Sequence, residues 1–173
     1  MDYLISLRSM KLSSFTQFNG ELCIRFDHSA SKALGKDYWR VHDSFRYYIG
    51  SVYSDFYVDV KAGKLTDGAS IPFPFRGLLQ VWSDYGQAIV VHDLLCDTYE
   101  ATKLVNGVET KVKMSRVEID DILIEAMGIL KVPEWKRDLM EIGLTLYRLF
   151  FNPKGPKPSD KKMALEAEYV AVE

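Results

Sequence analysis

The sequence predicts an α+β fold: a small antiparallel N-terminal β-sheet packed against about three C-terminal helices, with an extended C-terminal tail. Three observations carry this. Residues 1–65 hold short segments of period two, residues 86–151 hold apolar residues at helical spacing, and the stretch after them is broken by proline. With 173 residues the chain suits one domain, taken as residues 1–151, followed by a linker and tail over 152–173. Apolar residues make up 47% and charged residues 27%, enough to build a core.

In the front part, "ELCIRF" sets Leu22, Ile24 and Phe26 against Cys23 and Arg25, the alternation of a strand. "DFYVDVKAG" repeats it with Phe56, Val58 and Val60, and Gly63 marks a turn. "FRYYIGSVY" reads as their partner strand. "TDGASIPFPF" follows, where Gly68, Pro72 and Pro74 forbid a regular helix or a central strand, so it is a structured loop.

The back part reads as helices. Over residues 86–99, Ala88, Val91, His92, Leu95, Cys96 and Tyr99 share one face, and Asp93, Asp97 and Glu100 share another. Asn106-Gly107 between two short valine-containing arms predicts a hairpin. Ser115 with Glu118 three residues on has capping-box spacing and opens a helix whose stripe is Ile119, Ile122, Leu123 and Ala126. Pro133 stands at the first turn of a last helix, lined on one side by Trp135, Leu139, Ile142, Leu146 and Leu149. "NPKGPKPSDKK" packs three prolines and four lysines into eleven residues, the composition of an extended linker, and "MALEAEYVAVE" reads as a frayed end or a docking segment.

Composition narrows the function. A net charge of −2 supplies no global basic field, which argues against a general nucleic-acid binder. No run reaches the roughly 18 apolar residues of a membrane span. The first residues, "MDYLISLRSMKLSS", lack the basic start and apolar core of a signal peptide. Cys23 and Cys96 have no metal-type spacing and read as reduced thiols.

The residues that could carry chemistry are polar groups set in apolar surroundings. Seven of the eleven residues from Ala88 to Thr98 are apolar, yet His92 and Asp93 sit among them. His92 faces inward with Val91 and Leu95, and a buried imidazole needs partners for its ring nitrogens. Asp93 points about 100° away, so the two cannot grip one small ion unaided. Arg116 and Asp120 share a helix face, either as an ordinary ion pair or as part of a site. Asp67 and Ser70 lie in "TDGAS", where turn chemistry alone accounts for them unless Asp67 faces His92.

Taken in order, "TDGASIP", "VHDLL" and "SRVEIDDILIEAM" resemble the pattern of a mostly phage-encoded family, domain of unknown function 1353, over roughly residues 45 to 150. The matching positions are Asp67, Ser70 and Pro72; His92 and Asp93; and Arg116 and Asp120. Cys96 stands where the family carries an aromatic residue, Phe73 replaces a basic one, and residues 101–114 look like an extended hairpin insertion. The family has no settled activity. The resemblance implies phage or prophage origin, hence the host cytoplasm or the virion, and a shared polar site.

With that pattern, Asp67, His92, Asp93 and Asp120 could converge as metal ligands or acid–base groups. One imidazole with carboxylates is a set suited to Mg²⁺, Mn²⁺ or Zn²⁺ and to activating water for hydrolysis. Arg116 would hold an anionic substrate group or orient Asp120. Ser70 is the lesser candidate, since "GAS" is not a nucleophile elbow. A rival reading makes the Asp-His-Asp-Arg network purely structural, with the aromatic sheet or the tail docking on another phage protein or a host protein. A third makes the pocket a small-ligand site without turnover.

Overall fold

The computed structural model describes residues 16–68, 82–156 and 159–169. Ser70, Pro72, Phe73 and Pro74 lie outside them. The fold is α+β, built on two antiparallel sheets where one was expected. The first joins β1 (Ile24–Phe26), β2 (Trp39–Val41) and β5 (Leu65–Thr66) in the order β1-β2-β5. The second joins β3 (Phe45–Tyr48), β4 (Phe56–Val60), β6 (Glu100–Val105) and β7 (Val108–Lys113) in chain order. The split arises because β2 ends at Val41 and the chain bends through Asp43 before β3 begins.

The hairpin of residues 100–113 is not a bare insertion. Asn106 and Gly107 both take positive φ, 51° and 79°, the signature of a type I′ turn, and β6 then pairs with β4, which places the hairpin at the edge of the second sheet. The outer strand β7 carries Glu109, Lys111 and Lys113 and is largely exposed, a charged edge that discourages pairing with other chains.

Five helices are present among the described residues, four of them in the C-terminal part. Helix α1 (His28–Leu34) links β1 to β2, capped by the Asp27 carboxylate accepting from Ala30 N at 2.8 Å. Helix α2 (Gly86–Thr98) is buried through five successive residues, Ala88 to His92, and again at Leu95. An amphipathic surface helix would bury one stripe; α2 is covered on most sides because it packs on β4, β5 and the next helix. Helix α3 (Arg116–Ile129) opens on the expected capping box: Ser115 Oγ accepts from Glu118 N, and Ser115 N donates to the Glu118 carboxylate at 2.7 Å. Tyr47, Ile89, Leu95, Ile119, Leu123 and Met127 fill the space between helices and sheet, all nearly inaccessible.

Helix α4 (Glu134–Phe151) buries Met140, Gly143 and Leu144, with Pro133 at its N-cap. Trp135, Ile142, Leu146 and Leu149, four of the five residues of the apolar stripe read from the sequence, face solvent instead.

The tail also departs from expectation. Residues 160–167 form helix α5 (Asp160–Ala167), capped by Ser159, rather than an extended end. Helix α5 lies on the first sheet. The Glu166 carboxylate accepts from Lys64 Nζ at 2.7 Å and from the backbone N–H of Leu65 at 2.9 Å, satisfying a donor on the outer strand β5. Arg40 donates to the Leu165 carbonyl at 3.2 Å, and Lys162 is ion-paired with Asp97 of α2. Tyr169 covers Gly63, whose φ of +89° and lack of a side chain are both required. A Cβ there would lie 2.5 Å from the Tyr169 ring.

Candidate functional site

Helix α2 presents its two polar residues to two different neighbours. His92 turns toward α3 and α4. Its Nε2 donates to Asp120 Oδ1 at 2.8 Å, and the same oxygen accepts from Arg116 Nε at 3.0 Å. The other Asp120 oxygen accepts from Arg148 Nη1 of α4 at 2.5 Å. Asp120 is 2% exposed and fully surrounded by donors. Burial alone would raise its pKa, but the hydrogen bond from His92 together with the two guanidiniums holds it below the ordinary carboxylate range. Burial pushes the His92 pKa down, so at neutral pH the ring is neutral, with its proton on Nε2 facing the carboxylate.

Cys96 completes this cluster one turn along α2. Its sulfur accepts from Arg116 Nη1 at 3.0 Å and lies 3.7 Å from the His92 ring. Burial pushes the thiol up to about 12 despite the adjacent arginine, so it is protonated and unreactive. A small sulfur at this position leaves room for the Arg116 guanidinium.

Asp93 turns the other way, toward β5. Its Oδ2 accepts from Thr66 Oγ1 at 2.5 Å, and Thr66 Oγ1 in turn accepts from Gly68 N at 3.2 Å. Burial, then the neighbouring negative charge of Asp67, raise the Asp93 pKa to about 7. Asp67 itself is ion-paired with Lys36. A small hollow of about 10 Å³ lies beside Asp93, lined by Thr66, Lys64, Val90 and Asp97. It is the size of a single water molecule.

The four acidic and imidazole groups read from the sequence therefore fall into two pairs on one helix. His92 meets Asp120, with Arg116 in support. Asp93 meets the Thr66–Asp67 turn, and Asp67 makes no hydrogen bond to His92 or Asp120. As one metal site the four do not fit. No three of them bring ligand atoms together among the described residues, and Asp120 already balances two arginines. Any cation at this end of the molecule would rely on Asp67 and Asp93. Ser70 lies outside the described residues.

Three participants escaped the sequence reading. Thr66 sits directly before Asp67 and could have been suspected from that position. Arg148 interrupts the apolar run "LTLYRLFF", a departure that marks a buried partner for its charge. Glu125 accepts from Tyr47 Oη at 2.6 Å, Gln17 Nε2 at 2.7 Å and Gly50 N at 2.9 Å, tying α3 to the second sheet; nothing local to it signals this.

The paired arrangement, apart from Arg148, falls within a segment that a family model matches, whereas β1, α1 and α5 lie outside it. Residues 39–143 match the family described as protein of unknown function (DUF1353), and the chain belongs to that family. No curated protein and no solved structure matches the chain. Among the described residues, no helix is long and apolar enough to cross a membrane.

Proposed function

We propose that this is a phage-encoded hydrolase-type protein whose reacting groups are Asp93 and Asp67, with His92, Asp120, Arg116 and Arg148 as positioning residues. The observation that carries the reading is the carboxylate pair where the turn after β5 meets α2. Two carboxylates there differ in surroundings: Asp67 is paired with Lys36, and Asp93 is half-buried and held by the Thr66 hydroxyl. Such a difference separates a proton donor from a charged partner. An acid with a pKa about 7 is poised to give and take protons at neutral pH. The one-water hollow beside it is where a hydrolytic water would be held. The His92–Asp120 network fixes the rotation of α2, so that Asp93 rather than a neighbour reaches Thr66. In this role Arg116 orients Asp120, the second of the two roles open to it in the sequence.

The test is hydrolysis of a panel of chromogenic carboxylic and phosphate esters by the wild type, Asp93→Asn and Asp67→Asn, with and without Mg²⁺ or Mn²⁺. Activity in the wild type that both variants lose supports the reading. Turnover equal in all three, or none in the wild type, counts against it. A requirement for the added ion assigns the pair a ligand role instead of acid–base work.

A docking role is the second reading, and the exposed face of α4 favours it. Trp135, Ile142, Leu146 and Leu149, with Phe150 beside them, present an apolar strip to solvent. In complementation of the parent phage, loss of function by Ile142→Glu with Leu149→Glu, but not by Asp93→Asn, would select docking.

A further inference from the structure

A second group of ligand-type side chains lies far along the chain from α2, at the junction of the two sheets. Cys23 and His42 extend the β1–β2 pairing by one step: His42 N donates to the Cys23 carbonyl at 2.8 Å, in register with the Ile24–Val41 pair. Residues directly opposed across two antiparallel strands project on the same face. The bend at Asp43 then turns the next carboxylate back onto that face, where it hydrogen-bonds the His42 ring at Nδ1, 2.9 Å away. One ligand atom from each of Cys23, His42 and Asp43 lies within 4.8 Å of the other two. Among the described residues this is the single group of three such side chains so placed.

We propose that Cys23, His42 and Asp43 form a zinc site. A thiolate, an imidazole nitrogen and a carboxylate oxygen are the donors Zn²⁺ takes, and three of them leave a fourth tetrahedral position for water or a donor from another molecule. Mg²⁺ and Ca²⁺ are disfavoured, because sulfur and nitrogen replace the oxygens they need. Binding expels the Cys23 thiol proton and replaces the His42–Asp43 hydrogen bond with two bonds to the ion. All three side chains are exposed, so the ion reaches them without opening the core. It would clip the end of β1 to the connection between β2 and β3, and so join the first sheet to the start of the second. The family match begins at residue 39, so Cys23 lies before the matched segment while His42 and Asp43 lie within it.

Titration of the purified full chain with Co²⁺, read by the thiolate-to-cobalt charge-transfer absorption, tests this. One Co²⁺ per chain, displaced by Zn²⁺, is expected. The band is lost in Cys23→Ser, diminished in His42→Ala and Asp43→Asn, and kept in Cys96→Ser. In the wild type, Zn²⁺ also shields Cys23 from a thiol-modifying reagent and raises Tm. No band, a band that survives Cys23→Ser, or Cys23 modified equally fast with and without Zn²⁺ would overturn the proposal.

Discussion

At the scale of single residues, Asp120 and Asp93 differ in what they contribute although both are acids in contact with α2. Asp120 neutralises a guanidinium from each of two helices and accepts from a histidine of a third, from a buried position. Asp120→Ala removes the partner of buried His92 and the counter-charge of two partly buried guanidiniums, so it is expected to cost about 3–5 kcal/mol in chemical denaturation. Asp93 works in the opposite sense. Its folded pKa, about 7, lies above the ordinary value near 3.9 of an unfolded chain. The stability it contributes is complete below about pH 4 and is lost as pH rises through about 7. Asn mimics the protonated carboxyl and still accepts from Thr66. Asp93→Asn is therefore expected to raise Tm relative to the wild type most at about pH 8, less at about pH 5, and little below about pH 4. A thermal series across that range reads the crossover directly. His92 has the reverse sign: its lowered pKa makes stability fall as pH drops below about 6.5, so acid should unfold the Asp93→Asn variant as readily as the wild type.

At the scale of elements, α5 acts as a clamp on the first sheet. The Glu166 side chain occupies the Leu65 N–H of the outer strand β5, and Tyr169 seals Gly63. Removing residues 159–173 should therefore lower Tm and expose Leu65 and Tyr38, detectable as increased binding of a hydrophobic dye. An unchanged Tm would show that α5 adds nothing to the first sheet. Elements whose partners are close in sequence were legible beforehand: the Asn106-Gly107 hairpin, the Ser115–Glu118 cap and the span of α2 each rest on signals a few residues apart. Helix α5 was not, because its anchors Arg40, Lys64 and Leu65 lie about a hundred residues upstream and nothing local announces them. The candidate site divides the same way. The inward direction of His92 follows from helix geometry alone. That Asp67 would stand beside Asp93 and not His92 depends on where β5 enters α2, which periodicity does not specify.

At the scale of the whole molecule, α2 is the shared support. It touches both sheets through β4 and β5, α3 through the His92–Asp120 contact, and α5 through Asp97 and Lys162. A molecule organised this way should unfold as one unit. Tryptophan fluorescence, which reports the edge-on Trp39–Trp82 pair 5.0 Å apart, and far-ultraviolet circular dichroism should trace coincident denaturation curves. A separate early phase in the fluorescence would mean that the first sheet melts alone. The Glu166–Leu65 bond also has a bearing on biosynthesis. It closes a loop of about a hundred residues, the slow kind of contact, and its second partner is made late. Until α5 has been synthesised, β5 has an open flank that a neighbouring nascent chain can pair with. Polysomes crowded on one message, as in rapid overexpression, would therefore favour entanglement of this protein, and slower translation would improve its yield of soluble chain.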